Sequence, residues 1–192
     1  MKPSLTDTLC TECGLCCDGS LFADVELAGR AEATRLEVMG LEIEDDETPG
    51  GLLSLPCAAL QGRRCRIYAH RPECCRTFEC RLLQEVRRGE VSVESARAQV
   101  AETLKRIGRV RELMGQLGHH DARLPLGESC AEALAGATGP DPEVNRKRAE
   151  LEAAMSAVEE RIRTSFLGGR GVVGETIGER PRASVRTSRG CG

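Results

Sequence analysis

The apolar positions of this chain change rhythm about halfway along it. From Ser92 onward, Val93, Ala96, Val100, Leu104, Ile107, Val110, Met114 and Leu117 recur every three or four residues. That spacing predicts one amphipathic helix of about seven turns, ended by Gly118. A loop with Pro125 and Gly127 follows, then a short Ala-rich piece from Cys130 to Ala137, and Gly139-Pro140-Asp141-Pro142 opens a second long helix. Its apolar face is Val144, Leu151, Met155, Val158, Ile162 and Phe166, and Gly168-Gly169 stops it. Two such helices predict an antiparallel hairpin that packs on itself or on the chain before it.

The first half is more broken. Residues 1–9 read as a flexible lead-in. Over residues 24–39, Val25, Ala28, Ala31, Leu36 and Val38 sit at helical spacing, with Gly40 as the C-cap. The acidic stretch Glu42 to Gly51 reads as a surface loop. Leu52, Leu53 and Leu55, then Cys65, Ile67 and Tyr68, flank Gln61-Gly62-Arg63 and predict a hairpin of two short strands. Pro72 suits the first turn of a further helix, which Leu82, Leu83 and Val86 continue to Gly89. The expected fold class is mainly α with a short β-hairpin (α+β). It comprises a cysteine-rich domain over 10–90, a helical hairpin over 91–167 and a disordered basic tail over 168–192.

Composition narrows the functional classes. The chain has 192 residues, 30% charged, with a formal net charge of −3 and no tryptophan, so overall charge does not suit nucleic-acid binding. The tail arginines, Arg170, Arg180, Arg182, Arg186 and Arg189, have no aromatic residues between them to stack on bases. With 2% aromatics the core is expected to be thin, and eleven cysteines are the candidates to reinforce it. Met1 to Leu9 shows no apolar secretion run, no stretch approaches the roughly 20 apolar residues of a membrane span, and the cysteine count is odd. These point to a cytoplasmic, reduced, metal-binding chain rather than a disulfide-stapled one.

The cysteines carry the chemistry. Cys10-Thr11-Glu12-Cys13-Gly14-Leu15-Cys16-Cys17 puts four thiols in eight residues, and Cys57, Cys65, Cys75 and Cys80 supply four more. Two thiolates two residues apart can grip one tetrahedral ion. Gly14 can adopt positive φ and turn amide N–H groups toward the sulfurs. Adjacent Cys16 and Cys17 would close a strained ring on one ion, so either they serve two metals or only one of them is a ligand. Eight thiols suffice for two four-coordinate sites, or for one site with spare or bridging ligands. Zinc, iron or an iron–sulfur cluster would each accept them. Of the adjacent Cys74 and Cys75 only one is expected to be a ligand, and the isolated Cys130 and Cys191 read as non-ligands.

Taken together, Cys10-x-x-Cys13-Gly14-x-Cys16-Cys17, Pro56-Cys57, Cys65-Arg66-Ile67-Tyr68-x-x-Arg71-Pro72 and Cys75-Arg76-x-Phe78-x-Cys80 resemble the YkgJ-type CxxCxxCC family of zinc- or iron-chelating domains. The resemblance covers about residues 10–82. It implies a small cysteine-cluster module, and alignment with Arg76 and Phe78 picks Cys75 over Cys74. Some larger relatives are flagellin lysine N-methylases, which gives an alternative reading as an iron or iron–sulfur enzyme acting on a peptide side chain. A third reading is a zinc-stapled interaction module with the helical hairpin as its binding face for a protein partner. Arg71 and Arg76 would counter the charge of a metal–thiolate centre. His70 reads either as a support beside the thiols or as a surface residue, and the pair His119-His120 as a polar loop.

Overall fold

The computed structural model describes residues 5–136, 139 and 141–168. Its longest elements are the two expected helices, α5 (Val93–Gln116) and α7 (Pro142–Ser165), joined through α6 (Leu126–Gly136). Ser92 caps α5 by accepting the Ser95 N–H, and Asp141 caps α7 by accepting the Glu143 N–H, so each helix starts where its first free amides find a side-chain oxygen. The apolar stripes meet. Val100, Ile107, Val110, Leu113 and Met114 of α5 bury with Leu151, Met155, Val158 and Ile162 of α7. Inside this seam Arg161 donates from Nε to Thr103 Oγ1 at 2.8 Å, and Thr103 is fully buried.

The cysteine-rich half wraps one face of this pair. It comprises α1 (Leu5–Cys13), β1 (Asp24–Glu26), α2 (Arg30–Val38), β2 (Leu52–Ser54), β3 (Leu60–Gln61), β4 (Arg64–Cys65), a single 3-10 turn (Tyr68–His70), α3 (Glu73–Thr77) and α4 (Arg81–Arg87). Helices α1 and α4 pack on α5, and bidentate bonds from Arg97 to Glu12 at 3.0 and 2.9 Å add to the joint. The buried apolar residues of both halves form one hydrophobic cluster. The hairpin therefore packs on itself and on the cysteine-bearing chain. Among the described residues, no helix is long and apolar enough to cross a membrane.

Local structure departs from expectation in four places. Helix α1 already begins at Leu5, inside the segment read as a lead-in. Residues 24–26 form a strand rather than the start of a helix, and α2 begins only at Arg30. The reason is a distant partner: β1 pairs antiparallel with β2, Val25 opposite Leu53. Leu52–Ser54 is therefore not an arm of the 60–65 hairpin, which is only β3 and β4, joined at Gly62-Arg63. Lastly, the helix expected from Pro72 to Gly89 breaks into α3 and α4, because residues 78–80 run extended where Phe78 packs edge-on against Phe22 (centroids 5.1 Å apart, planes at 86°). The Arg81 N–H, freed at the new helix start, donates to Phe166 O at 2.8 Å, just past α7. Cys191 and the tail arginines lie outside the described residues.

Candidate metal centre

Cys10 and Cys13 are one turn apart near the end of α1, so their side chains share a helix face. Gly14 then takes φ 74° and stops the helix, and the amides of Cys17 and Asp18 both donate to its carbonyl at 2.9 and 3.0 Å. This tight turn presents Cys16 and Cys17 in succession. The β3–β4 turn lies against this glycine, where a Cβ would meet the Arg63 backbone at an ordinary contact distance of 3.4 Å, so it is the positive φ that calls for glycine. The next glycine is more tightly held: Gly19 has φ 74° and its missing Cβ would fall 2.9 Å from Pro125 Cα.

The second group of thiols is brought in by backbone bonds. Cys57 N–H donates to Cys17 O at 2.8 Å, and Arg66 N–H to Ala59 O at 2.9 Å, folding the β3–β4 hairpin back so that Cys65 returns beside Cys57. Arg71 stacks over the Tyr68 ring, 3.7 Å from its centroid, and donates from Nε to Tyr68 O and from Nη1 to Cys75 O. Cys80 is the residue before α4. The result is a cavity of about 120 Å³ whose wall holds all eight candidate ligands, Cys10, Cys13, Cys16, Cys17, Cys57, Cys65, Cys75 and Cys80, together with Cys74. Leucines, Phe22, Phe78, Val100 and Phe166 complete it. The ten described cysteines are all free thiols.

Electrostatics explain what these thiols need. Burial pushes the Cys10 thiol up to about 11 and those of Cys13 and Cys17 up to about 12. Burial raises Cys16, Cys57, Cys65 and Cys80 as well, and Cys75 is raised first by its hydrogen bond with Cys74 and then by burial. Burial outweighs the nearby guanidinium charges, so the neutral thiols are favoured. Opposing this, the amide N–H groups of Leu15, Ala59 and Ile67 favour the thiolates of Cys13, Cys57 and Cys65, those of Leu83 and then Leu82 favour the thiolate of Cys80, and the Arg71 charge favours the thiolates of Cys10, Cys65 and Cys75. Amide donors two residues beyond a cysteine are the arrangement that sustains metal-bound thiolate.

The donor set thus suits a thiophilic ion. As they stand, no three or more of the described His, Cys, Asp and Glu side chains form a ready-made ion-binding group, so the sulfurs must draw inward for an ion to be held.

Other candidates fall elsewhere. His70 and Arg76 are exposed, and Cys130 is buried on α6 outside the cavity wall. His119 lies within 3.0 Å of Ser129 Oγ through Nε2, while that hydroxyl donates to Asp121 O. Because the one hydroxyl proton is already committed, His119 is the donor and the pair fastens the loop after α5. Both histidines, with Asp18, Arg63 and Arg111, line a second cavity of about 510 Å³ that abuts Cys13 and Gly14. Glu32 is a positioning residue that its place among other charges concealed: it accepts the Glu73 amide at 2.9 Å and sets the start of α3 beside Cys75.

Fold and site together define a cysteine-cluster domain buttressed by a helical hairpin. Residues 9–102 match the family model CxxCxxCC, described as "Putative zinc- or iron-chelating domain", and over this segment the chain is similar to that family. The matched segment contains all eight candidate ligands and ends within α5. No curated protein and no solved structure matches the chain.

Proposed function

We propose that the protein chelates zinc or iron through Cys10, Cys13, Cys16, Cys17, Cys57, Cys65, Cys75 and Cys80 in a reducing, cytoplasmic setting. The observation that carries this is the convergence of free thiols from both parts of the cysteine-rich half on one cavity wall, four of them receiving backbone N–H donors. A bound ion would supply the positive charge these buried sulfurs lack and would cross-link short elements that have little core of their own. Zinc in an all-thiolate site is colourless, whereas an iron–sulfur cluster gives brown protein with visible absorption.

The test is metal and sulfide analysis of full-length protein purified without oxygen. At least one zinc or iron per chain is expected. Cys13→Ser and Cys65→Ser should lower the metal content and the melting temperature, and Cys191→Ser should change neither. Equal losses in all three variants would defeat the assignment.

A second reading, an iron or iron–sulfur enzyme acting on a peptide side chain, draws on the polar cavity that abuts Cys13. It requires an iron centre whose spectrum shifts when a lysine-containing peptide is added. The apolar stripe of the helical hairpin is spent on its own packing, so nothing favours the interaction-module reading.

A further inference from the structure

We infer that the eight thiols form two separate four-thiol ion sites, Cys10/Cys13/Cys16/Cys80 and Cys17/Cys57/Cys65/Cys75, which meet only at the Cys16–Cys17 peptide. This rests on the chelating function proposed above and adds how the ligands are shared.

The backbone groups them this way. Cys10, Cys13 and Cys16 follow at intervals of three along α1 and its terminal turn, and Cys80 heads α4, which packs on α1. The other four are stitched together by the Cys57 N–H to Cys17 O bond, the hairpin bond from Arg66 to Ala59, and Arg71, which spans from Tyr68 O to Cys75 O. Mutual electrostatics draw the same line. Within the first set every pair interacts: Cys10 with Cys80, Cys13 with both, and Cys16 with all three. Every pair of the second set does too: Cys17 with Cys57, Cys65 and Cys75, Cys57 with Cys65 and Cys75, and Cys65 with Cys75. Across the two sets, the leading interactions include only Cys16 with Cys17, neighbours in sequence.

Each set also has its own supporting groups. Two sulfurs in each are favoured as thiolates by amides just ahead of them, Cys13 by Leu15 and Cys80 by Leu83 and Leu82 in one set, Cys57 by Ala59 and Cys65 by Ile67 in the other. A divalent ion taken by four thiols releases four protons to solvent and leaves a site of net charge −2. The Arg66 charge favours the thiolates of Cys57 and Cys65 in the second set and the Arg71 charge those of Cys10, Cys65 and Cys75 in both, while Arg87 near Cys10 is ion-paired with Glu79 at 2.9 Å. Consecutive cysteines, which would strain a ring on one ion, are instead divided between two.

The test uses cobalt(II) with the full-length, reduced, metal-free chain under anaerobic conditions. Thiolate-to-cobalt absorption should rise to a break at two equivalents per chain, held against a competing chelator. Cys80→Ala and Cys57→Ala should each retain one tight equivalent, and the double variant none. Cys10→Ala and Cys65→Ala, followed also by far-UV circular dichroism, repeat the comparison from a second ligand of each set. A break at one equivalent in the unaltered chain, or loss of both ions in a single variant that keeps its helix content, overturns the two-site division while leaving chelation intact. Failure of the unaltered chain to take up any cobalt overturns both.

Discussion

Glu32 offers a test of how the thiol-bearing segment is held, independent of any ion. Its carboxylate is only 9% exposed. It accepts the Ala28 N–H at 3.0 Å through Oε2, and through Oε1 the Glu73 N–H at 2.9 Å and Arg35 at 3.2 Å. Glu73 is the first residue of α3, a helix of five residues whose leading amides have no partner of their own. Replacing Glu32 with Ala removes two charge-assisted bonds of about 1.5–3 kcal/mol each. Part of that returns as water reaches the freed amides, and the half-exposed Arg35 contact adds less than about 1 kcal/mol. A net loss of about 2–4 kcal/mol is expected, or a fall in melting temperature of roughly 5–12 °C for a chain of this size. Glu32→Gln keeps one acceptor oxygen and should lose about half as much. Urea unfolding of the reduced, metal-free chain measures both. If the Ala variant unfolds within about 0.5 kcal/mol of the unaltered protein, the placement of α3 by Glu32 is refuted.

Three further outcomes follow from packing and charge. Thr103→Val takes the acceptor from Arg161 Nε in the α5–α7 seam, leaving the longer bond from Nη2 to Gln99 O, and should cost about 1–2 kcal/mol in urea unfolding; Thr103→Ser should restore most of it, and equal losses in both would show that the bond does not matter. Gly19→Ala must bear a positive φ and a Cβ 2.9 Å from Pro125 Cα, so more than about 1–2 kcal/mol should be lost, with an unchanged melting temperature as the contrary result. Without metal, the folded chain holds Cys10, Cys13 and Cys17 protonated up to about 11–12 against an ordinary value of 9.0. It therefore binds more protons than the unfolded chain across that window, and its stability should be full below pH 9 and decline as pH rises toward 12. Urea midpoints that climb between pH 9 and 11 in the presence of chelator would contradict the burial of these thiols.

The long helices were legible because an apolar stripe repeating every three or four residues over seven turns fits a helix and no strand, and Gly118 and Asp141 mark their limits as well as any residue can. Strand β1 was not, because Val25 and Ala28 happen to fall at helical spacing and three residues carry too little pattern to announce a partner at Leu53. The break between α3 and α4 left no proline or glycine to see; it comes from Phe78 meeting Phe22 and from Phe166 receiving the Arg81 amide, both tertiary events. The thiols were legible in number and spacing, since their side-chain chemistry is written in the residue type. How they divide depends on which backbone carbonyl the Cys57 amide meets, and no local pattern encodes that. Glu32 was invisible for a similar reason: one acid among many becomes special only when α2 lies against α3.

Phe166 sits just past the end of α7, yet its ring lines the cavity and its carbonyl holds the amide next to Cys80. The enclosure around the sulfurs is therefore finished by nearly the last described residue, long after all eight have left the ribosome. During synthesis the nascent chain must carry its thiols unroofed until the second long helix emerges and docks. Any truncation ahead of that point would strike the sulfur-lined chamber without removing a single cysteine from it.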